Sequence, residues 1–301
     1  MPPTLLAAGY LNLDLVAVLD RLPAFGERET AQSLTRSSGG MTANLACAAA
    51  QLGLSVQFFG TVGKDPAGAT ALAELEQFGV QTNGIIRSDR PTTIALILLN
   101  PEGERAIISE PFAFDYSTLT TALTVTPPSA CLHLDGYRLP EGMTRLQQAK
   151  SRGLLTSADL DGIEPDAIAA VSRQAAPDLD VVFINRRLAE KLANSPADAA
   201  QFLLRSGAKT VAVTLAEQGA LIASEEGEEY FIPALVDAVV RDTTGAGDVF
   251  AGAFLAAWLQ GRSIQFSGQF AVTASGLSLD SYGARGHLPT WDEVTRRMPA
   301  I

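Results

Sequence analysis

Cysteine is almost missing from this chain of 301 residues: Cys47 and Cys131 are too few for the disulfide framework of a small secreted protein and are not spaced like metal ligands. Both are expected to be buried thiols. Long apolar runs are missing too. No stretch approaches the roughly 18 residues that a membrane helix needs, and MPPTLLAAG has no basic segment ahead of its apolar one, so neither a span nor a secretory signal is expected. A cytoplasmic location is the resulting expectation. Positive charge is in deficit, with 22 Lys and Arg against 33 Asp and Glu. The net charge of -11 disfavours general binding to nucleic acid or anionic lipid, although a focused positive pocket still admits a phosphate. A small-molecule partner is expected. Of the two histidines, His133 reads as a structural strand residue and His287 as a loop residue with no assigned role.

What is present points to a layered α/β protein. The hydrophobic share of 47% is ordinary for a globular chain of a size that can bury a large core. Leu5 to Ala8 reads as a buried strand ending at Gly9. LVAVL (15–19) and a weaker candidate at 29–34 suggest a small flap outside the main sheet. From MTANLACAAAQLG onward, strands and helices alternate in the rhythm of βα units: SVQFFG, then DPAGATALAELEQFG; ACLHLDG, then helix 141–152; LLTSAD, then helix 165–174 with an early Pro; DVVFIN, then SPADAAQFLLRSG, then TVAVTL. Runs from 92 and 105 flank the turn NPEGE and read as a hairpin-like pair, placed either at an antiparallel margin of the sheet or with the flap. Helices 246–259 and 266–279 follow, and Thr290 with Glu293 spells a capping box. No repeat and no interdomain linker interrupts the chain, so one domain over 1–301 is expected. Strand order is not readable.

The stretch RDTTGAGDVFAGAF (241–254) carries the chemistry. It puts Gly245, Ala246 and Gly247 where a loop becomes an apolar helix, and unpaired N–H groups at such a place suit a phosphate. Asp248 in the first turn would repel that phosphate. It makes sense as a general base on a neighbouring hydroxyl, with the GAG main chain stabilising the transferred phosphoryl. The plainer alternative is an acidic residue complementing the helix dipole. Near the N-terminus, Asn12 and Asp14 lie on one side of an extended segment, given its two-residue period. A carboxylate and an amide so spaced can bind adjacent sugar hydroxyls.

Together these residues resemble the ribokinase-like, or PfkB, carbohydrate kinases. Asp242, Thr243, Thr244, Gly245, Ala246, Gly247 and Asp248 reproduce the C-terminal signature of that family, and Gly39, Gly40 and Asn44 in GGMTANLA, with VGKDPAG at 62–68, match its N-terminal one. The resemblance implies a three-layer α/β/α domain with a mainly parallel central sheet and a small β lid, within about 14–34 and part of 92–110, that covers the sugar and often forms a homodimer contact. It implies ATP and Mg²⁺ as cofactors, with K⁺ used in some members, and a small sugar as substrate. Residue by residue, Asp248 resembles the catalytic base and Gly245, Ala246 and Gly247 the anion hole. Asn12, Asp14, Gly39, Gly40 and Asn44 resemble the sugar contacts. Asp135 falls where members place a further substrate contact, and Arg138 is a candidate reader of a substrate anion. Asp242 is either near a monovalent-cation loop or a brace for its own loop.

The nucleotide side departs from the family pattern. Where members carry Asn, x, x, Glu, this chain runs Asn185, Arg186, Arg187, Leu188, with Glu190 two places late as a candidate water-mediated magnesium residue. In TLAEQG, Thr214 and Gly219 are kept but Ala216 stands in place of a glycine, which is harmless only if the backbone there does not need positive φ. Arg186 and Arg187 either hold phosphates or face water. The expected activity is ATP-dependent phosphorylation of a ribose-like or other small sugar. A nucleoside or acidic-sugar kinase and a catalytically weakened regulatory binder are the alternatives.

Overall fold

The computed structural model of the chain describes residues 4–100, 105–111 and 114–299. In chain order its strands are β1 (Thr4–Ala8), β2 (Asn12–Val18), β3 (Ser33–Gly39), β4 (Ser55–Phe59), β5 (Thr61–Gly63), β6 (Ile86–Ser88), β7 (Ile94–Leu99), β8 (Arg105–Ser109), β9 (Cys131–Asp135), β10 (Leu155–Asp159), β11 (Val181–Asn185), β12 (Thr210–Thr214), β13 (Ala220–Ser224) and β14 (Glu229–Ile232). The main sheet has the order β14-β13-β12-β11-β10-β9-β1-β4. It is parallel from β4 to β12 and antiparallel at the β12-β13-β14 edge.

Its helices are α1 (Met41–Gln51), α2 (Pro66–Gln77), α3 (Ser117–Val125), α4 (Leu139–Ser151), α5 (Ile168–Ala175), α6 (Arg186–Leu192), α7 (Pro196–Arg205), α8 (Ala246–Leu259), α9 (Ile264–Ser278) and α10 (Trp291–Arg297). Alternate strand residues enter opposite cores. Leu5, Ala7, Val181 and Phe183 pack with α1, α2, α8, α9 and α10, whereas Leu6, Ala8, Val182 and Ile184 pack with α3 to α7. A sheet buried on both faces needs apolar residues at every position, which is why its strands read as unbroken apolar runs. The result is the three-layer α/β/α arrangement expected from the sequence.

A second sheet, β3-β2-β7-β8, stands apart from the main one as the lid. Its second strand runs from Ser33 to Gly39, not from 29 to 34, because antiparallel pairing with β2 matches Asn12 to Gly39 and Val18 to Ser33. The pair from 92 and 105 joins this sheet rather than the margin of the main one: β7 runs parallel to β2, from Leu13 beside Ile94 to Val18 beside Leu99, and β8 pairs antiparallel with β7. Residues 101–104 of the expected turn lie outside the described residues. Helix α5 begins at Ile168, leaving Pro165 in the preceding turn. Helix α9 starts at Ile264, where Ser263 accepts a hydrogen bond from the Phe266 N–H. Local caps are as the sequence spells them, with Ser195 accepting from the Asp198 N–H ahead of Pro196, and Thr290 and Glu293 closing a capping box.

Helix α8 sits at the centre of one helical layer. Every residue from Val249 to Ala257 is buried, as befits a helix that is apolar all round and packed between α1 and α9. Its first turn is the only polar part and opens at the mouth of the sheet. That placement fixes the site.

Candidate active site

A cleft of about 1100 Å³ lies between the lid and the carboxyl ends of the main strands. Tyr10 after β1, Asp159 on β10, Asn185 on β11 and Thr214 on β12 line it from below. This is the usual ligand position of an open α/β sheet. The lid supplies Asn12, Asp14, Ala95 and Ile97 from above, and the first turn of α8 supplies Gly245 to Asp248 from the side.

At the lid end, the Asn12 amide donates from Nδ2 to Asp14 Oδ1 at 2.6 Å, so the two-residue period does bring these groups together. Asn12 is buried, and its Oδ1 has no hydrogen-bond partner among the described residues. A buried carbonyl oxygen left open on a cleft wall is an acceptor waiting for a ligand hydroxyl. Burial pushes the Asp14 carboxyl up from its ordinary value, against the Asn12 hydrogen bond and the charge of Arg285. Gly40 lines the cleft, while Gly39 stands behind Asp14, where a Cβ would lie 2.2 Å from Asp14 Oδ2. Asn44 on α1 donates from Nδ2 to Asp248 Oδ2 at 2.7 Å. Burial pushes the Asp248 carboxyl up to about 7, with the Asn44 hydrogen bond working the other way. A carboxyl poised there is suited to exchange a proton near neutrality.

At the other end, Gly245 caps α8 in the left-handed region with φ 78°, and a Cβ there would lie 2.5 Å from Ala284 Cβ. Ala246 returns its N–H to Thr243 O in a long bond of 3.3 Å, whereas Gly247 has open space where a side chain would stand. First-turn N–H groups beyond the cap have no intrahelical acceptor, and here they face the cleft. The Asp242 carboxylate accepts from the Thr244 N–H at 2.9 Å and from the Gly283 N–H at 2.8 Å. These bonds tie the loop before α8 to the loop after α9.

Asn185, Thr214, Ala216, Gly219 and Glu190 all line the cleft. Asn185 also caps α6, accepting at Oδ1 from the Leu188 N–H at 3.0 Å. Arg186 is held by Leu215 O at 2.6 Å and by Glu217, and Arg187 by Asp161 at 3.1 Å, so each arginine already braces a wall of the cleft. Ala216 has φ 52°. The position therefore does require the left-handed region, and the alanine that replaces glycine there is strained. Replacing Ala216 with Gly is expected to stabilise the fold by about 0.5–1 kcal/mol, the left-handed penalty less the backbone entropy of glycine. For a chain of this length that is a rise in Tm on the order of 2 °C, to be read by calorimetry.

Two expected substrate contacts, Asp135 and Arg138, are not among the residues that line the cleft. Asp135 is fully buried behind the wall, accepting from Thr42 Oγ1 at 2.9 Å and from the Arg138 N–H at 3.0 Å. Burial pushes its carboxyl up to about 6. Arg138 caps the start of α4, and its buried Nε does not reach the cleft. Thr42, at the start of α1, donates to the Asp135 carboxyl from the side of that helix. Conversely, no local sequence signal marks Asp159 and Asp161 as cleft residues, or Arg285 as lying behind the cleft. Burial, reinforced by the Asp161 charge, pushes the Asp159 carboxyl well up.

Residues 3–291 match the model of the pfkB family of carbohydrate kinases. The ATP-dependent ribose-1-phosphate kinase of Halopiger xanaduensis is 30% identical over 96% of this chain and 96% of its own. The ribokinase of Bacillus subtilis is 29% identical over 95% and 96%. The solved ribokinase of Thermotoga maritima superposes with a TM-score of 0.81 at 26% identity, covering 98% of this chain and 99% of the other. With the signature residues gathered at one cleft and a matching fold, the chain belongs to the pfkB family of carbohydrate kinases and is an ATP-dependent kinase of sugars or nucleosides.

Proposed function

We propose that this kinase transfers the γ-phosphoryl of ATP to a hydroxyl of a small ribose-like sugar held by Asn12 and Asp14, with Asp248 as the base. The observation that carries the reading is the position of Asp248. It belongs to the anion-receptive first turn of α8 and shares a cleft with the lid pair Asn12 and Asp14. Asp14 accepts from an acceptor hydroxyl and the free Oδ1 of Asn12 from another. Asp248 takes the proton of the attacking hydroxyl, and the N–H groups around Gly247 stabilise charge on the phosphoryl oxygens. The lid excludes water, so the hydroxyl and not the solvent is phosphorylated.

Among the described residues, no cluster of three or more His, Cys, Asp or Glu could hold a metal on protein groups alone. The cleft lining instead includes the oxygens of Asp159, Asn185 and Glu190, a sparse set that fits Mg²⁺ arriving with nucleotide phosphates. Such an ion neutralises phosphate charge when bound. The test is ADP release from Mg²⁺-ATP over a panel of pentoses, hexoses, sugar phosphates, sugar acids and nucleosides, with and without K⁺. Release above the blank for a pentose supports the reading; a panel in which no pentose exceeds the blank sinks it. A second reading, a nucleoside acceptor, is favoured by the apolar wall of Ala95, Ile97 and Ile107 with Tyr137 at the lid end, and the nucleoside arm of the panel decides it.

The lid also motivates a homodimer. Its register puts Leu15, Leu34, Leu96, Leu98 and Ile108 on the face away from Asp14, with Leu34 64% and Ile108 62% exposed. Val16 and Val18 share the face of Asp14. A sheet apolar on both faces needs cover on both. Replacing Ile108 with Glu is expected to shift the sedimentation mass from dimer to monomer; a wild-type monomer would reject this assembly.

A further inference from the structure

Arg285 lies on the loop after α9, with a side chain only 8% exposed. Its Nε donates to Asn44 Oδ1 at 2.9 Å, and Nη1 is 3.6 Å from Glu74 Oε2, a carboxylate that also accepts from the Ser38 N–H in the lid. A guanidinium has donors only. The atom of Asn44 that faces it must therefore be the carbonyl oxygen, which leaves the NH₂ end to meet Asp248. Turning the amide over would set NH₂ against the guanidinium and oxygen against the carboxylate, two repulsions in place of two hydrogen bonds. We propose that Arg285 is a positioning residue, which fixes the amide of Asn44 so that a hydrogen-bond donor stays on Asp248.

This inference rests on the proposed role of Asp248. A base must be ionised before it can take a proton, and burial works against ionisation here. Of the charged groups around it, Asp135, Asp159 and Asp161 also oppose the charge, the Tyr10 phenol stays neutral, and Arg285 is the cation. Asn44 is the only side chain hydrogen-bonded to Asp248 among the described residues. The donor on Asp248 is thus supplied by α1 and oriented from the loop after α9.

The test is the carboxyl-carbon NMR titration of Asp248, its signal identified by loss in Asp248→Asn, in wild type, Arg285→Met, Asn44→Ala and the double variant. Arg285→Met is expected to raise the midpoint by about one unit, and the acid limb of kcat/KM with it, which is about tenfold less activity on that limb. In the Asn44→Ala background the same exchange should add much less. An unmoved midpoint overturns the proposal, and so does an equal shift with and without Asn44, since Arg285 would then act as a bare charge. If Arg285→Met does not fold because Glu74 is stranded, Glu74→Gln with Arg285→Met gives the same comparison. The titration needs no turnover. Activity with an unmoved midpoint therefore sinks this inference alone, whereas a shifted midpoint in a protein that phosphorylates nothing supports it and sinks the function.

Discussion

Replacing Asp248 with Asn is expected to lower kcat by roughly 10²–10⁴-fold, the usual contribution of a positioned general base, while acceptor binding changes by no more than a few-fold. The exchange is close to isosteric, and the new carbonyl oxygen can still accept from Asn44 Nδ2, so the first turn of α8 keeps its shape. What is lost is the ability to hold a proton. The same carboxyl sets the pH dependence of the wild type. With its value raised to about 7 by burial, the protonated form accumulates as the pH falls below that point, and the base disappears with it. Free-enzyme kcat/KM should therefore be flat above about 7 and drop close to tenfold for each unit below, given a single titrating group. Stopped assays from pH 5 to 9 on wild type would read this limb directly. Turnover of Asp248→Asn near the wild-type rate would end the assignment of this residue as base.

What the sequence made legible and what it hid divide by distance along the chain. Ser195, Pro196 and Asp198, or Thr290 and Glu293, act within one helical turn, so their signals are complete where they stand. Helix α8 was placed to the residue because Gly245 breaks the chain into the left-handed region just ahead of an apolar run. The Thr-rich α3 has no side-chain cap, and α6 spans only Arg186–Leu192; propensity and periodicity are too weak to announce either. Pairing brought further surprises. Asn44 meets Asp248, and Arg285 meets Asn44, across more than 200 residues, and no local pattern encodes such meetings. Asp135 is a like case: the resemblance places it near the substrate, but no local pattern says that Thr42 from another element will donate to its carboxyl.

The lid glycine offers the sharpest test of the acceptor site. Gly39→Ala is expected to raise the acceptor KM by about 10–100-fold with a smaller change in kcat, because Asp14 has to leave its place. Gly39 is matched to Asn12 across the β2-β3 pair, and a Cβ built on it would lie within 2.2–2.6 Å of all three carboxyl atoms of Asp14. Real side-chain atoms do not approach so closely, so the carboxylate rotates away or the two strands part. Either movement breaks the 2.6 Å bond from Asn12 and strips the cleft of its charged acceptor. Hydrogen bonds to a charged group are worth about 1.5–3 kcal/mol, which sets the size of the KM effect. Asp248 and the first turn of α8 lie outside the lid and meet Gly39 only through Asn44 and Arg285, so the chemical step at saturation is affected less than acceptor binding. Acceptor titrations at fixed Mg²⁺-ATP, on protein whose circular dichroism matches wild type, make the measurement. An unchanged KM would show that Asp14 does not touch the acceptor, and would move the substrate contacts to the Tyr10 and Tyr137 side of the cleft.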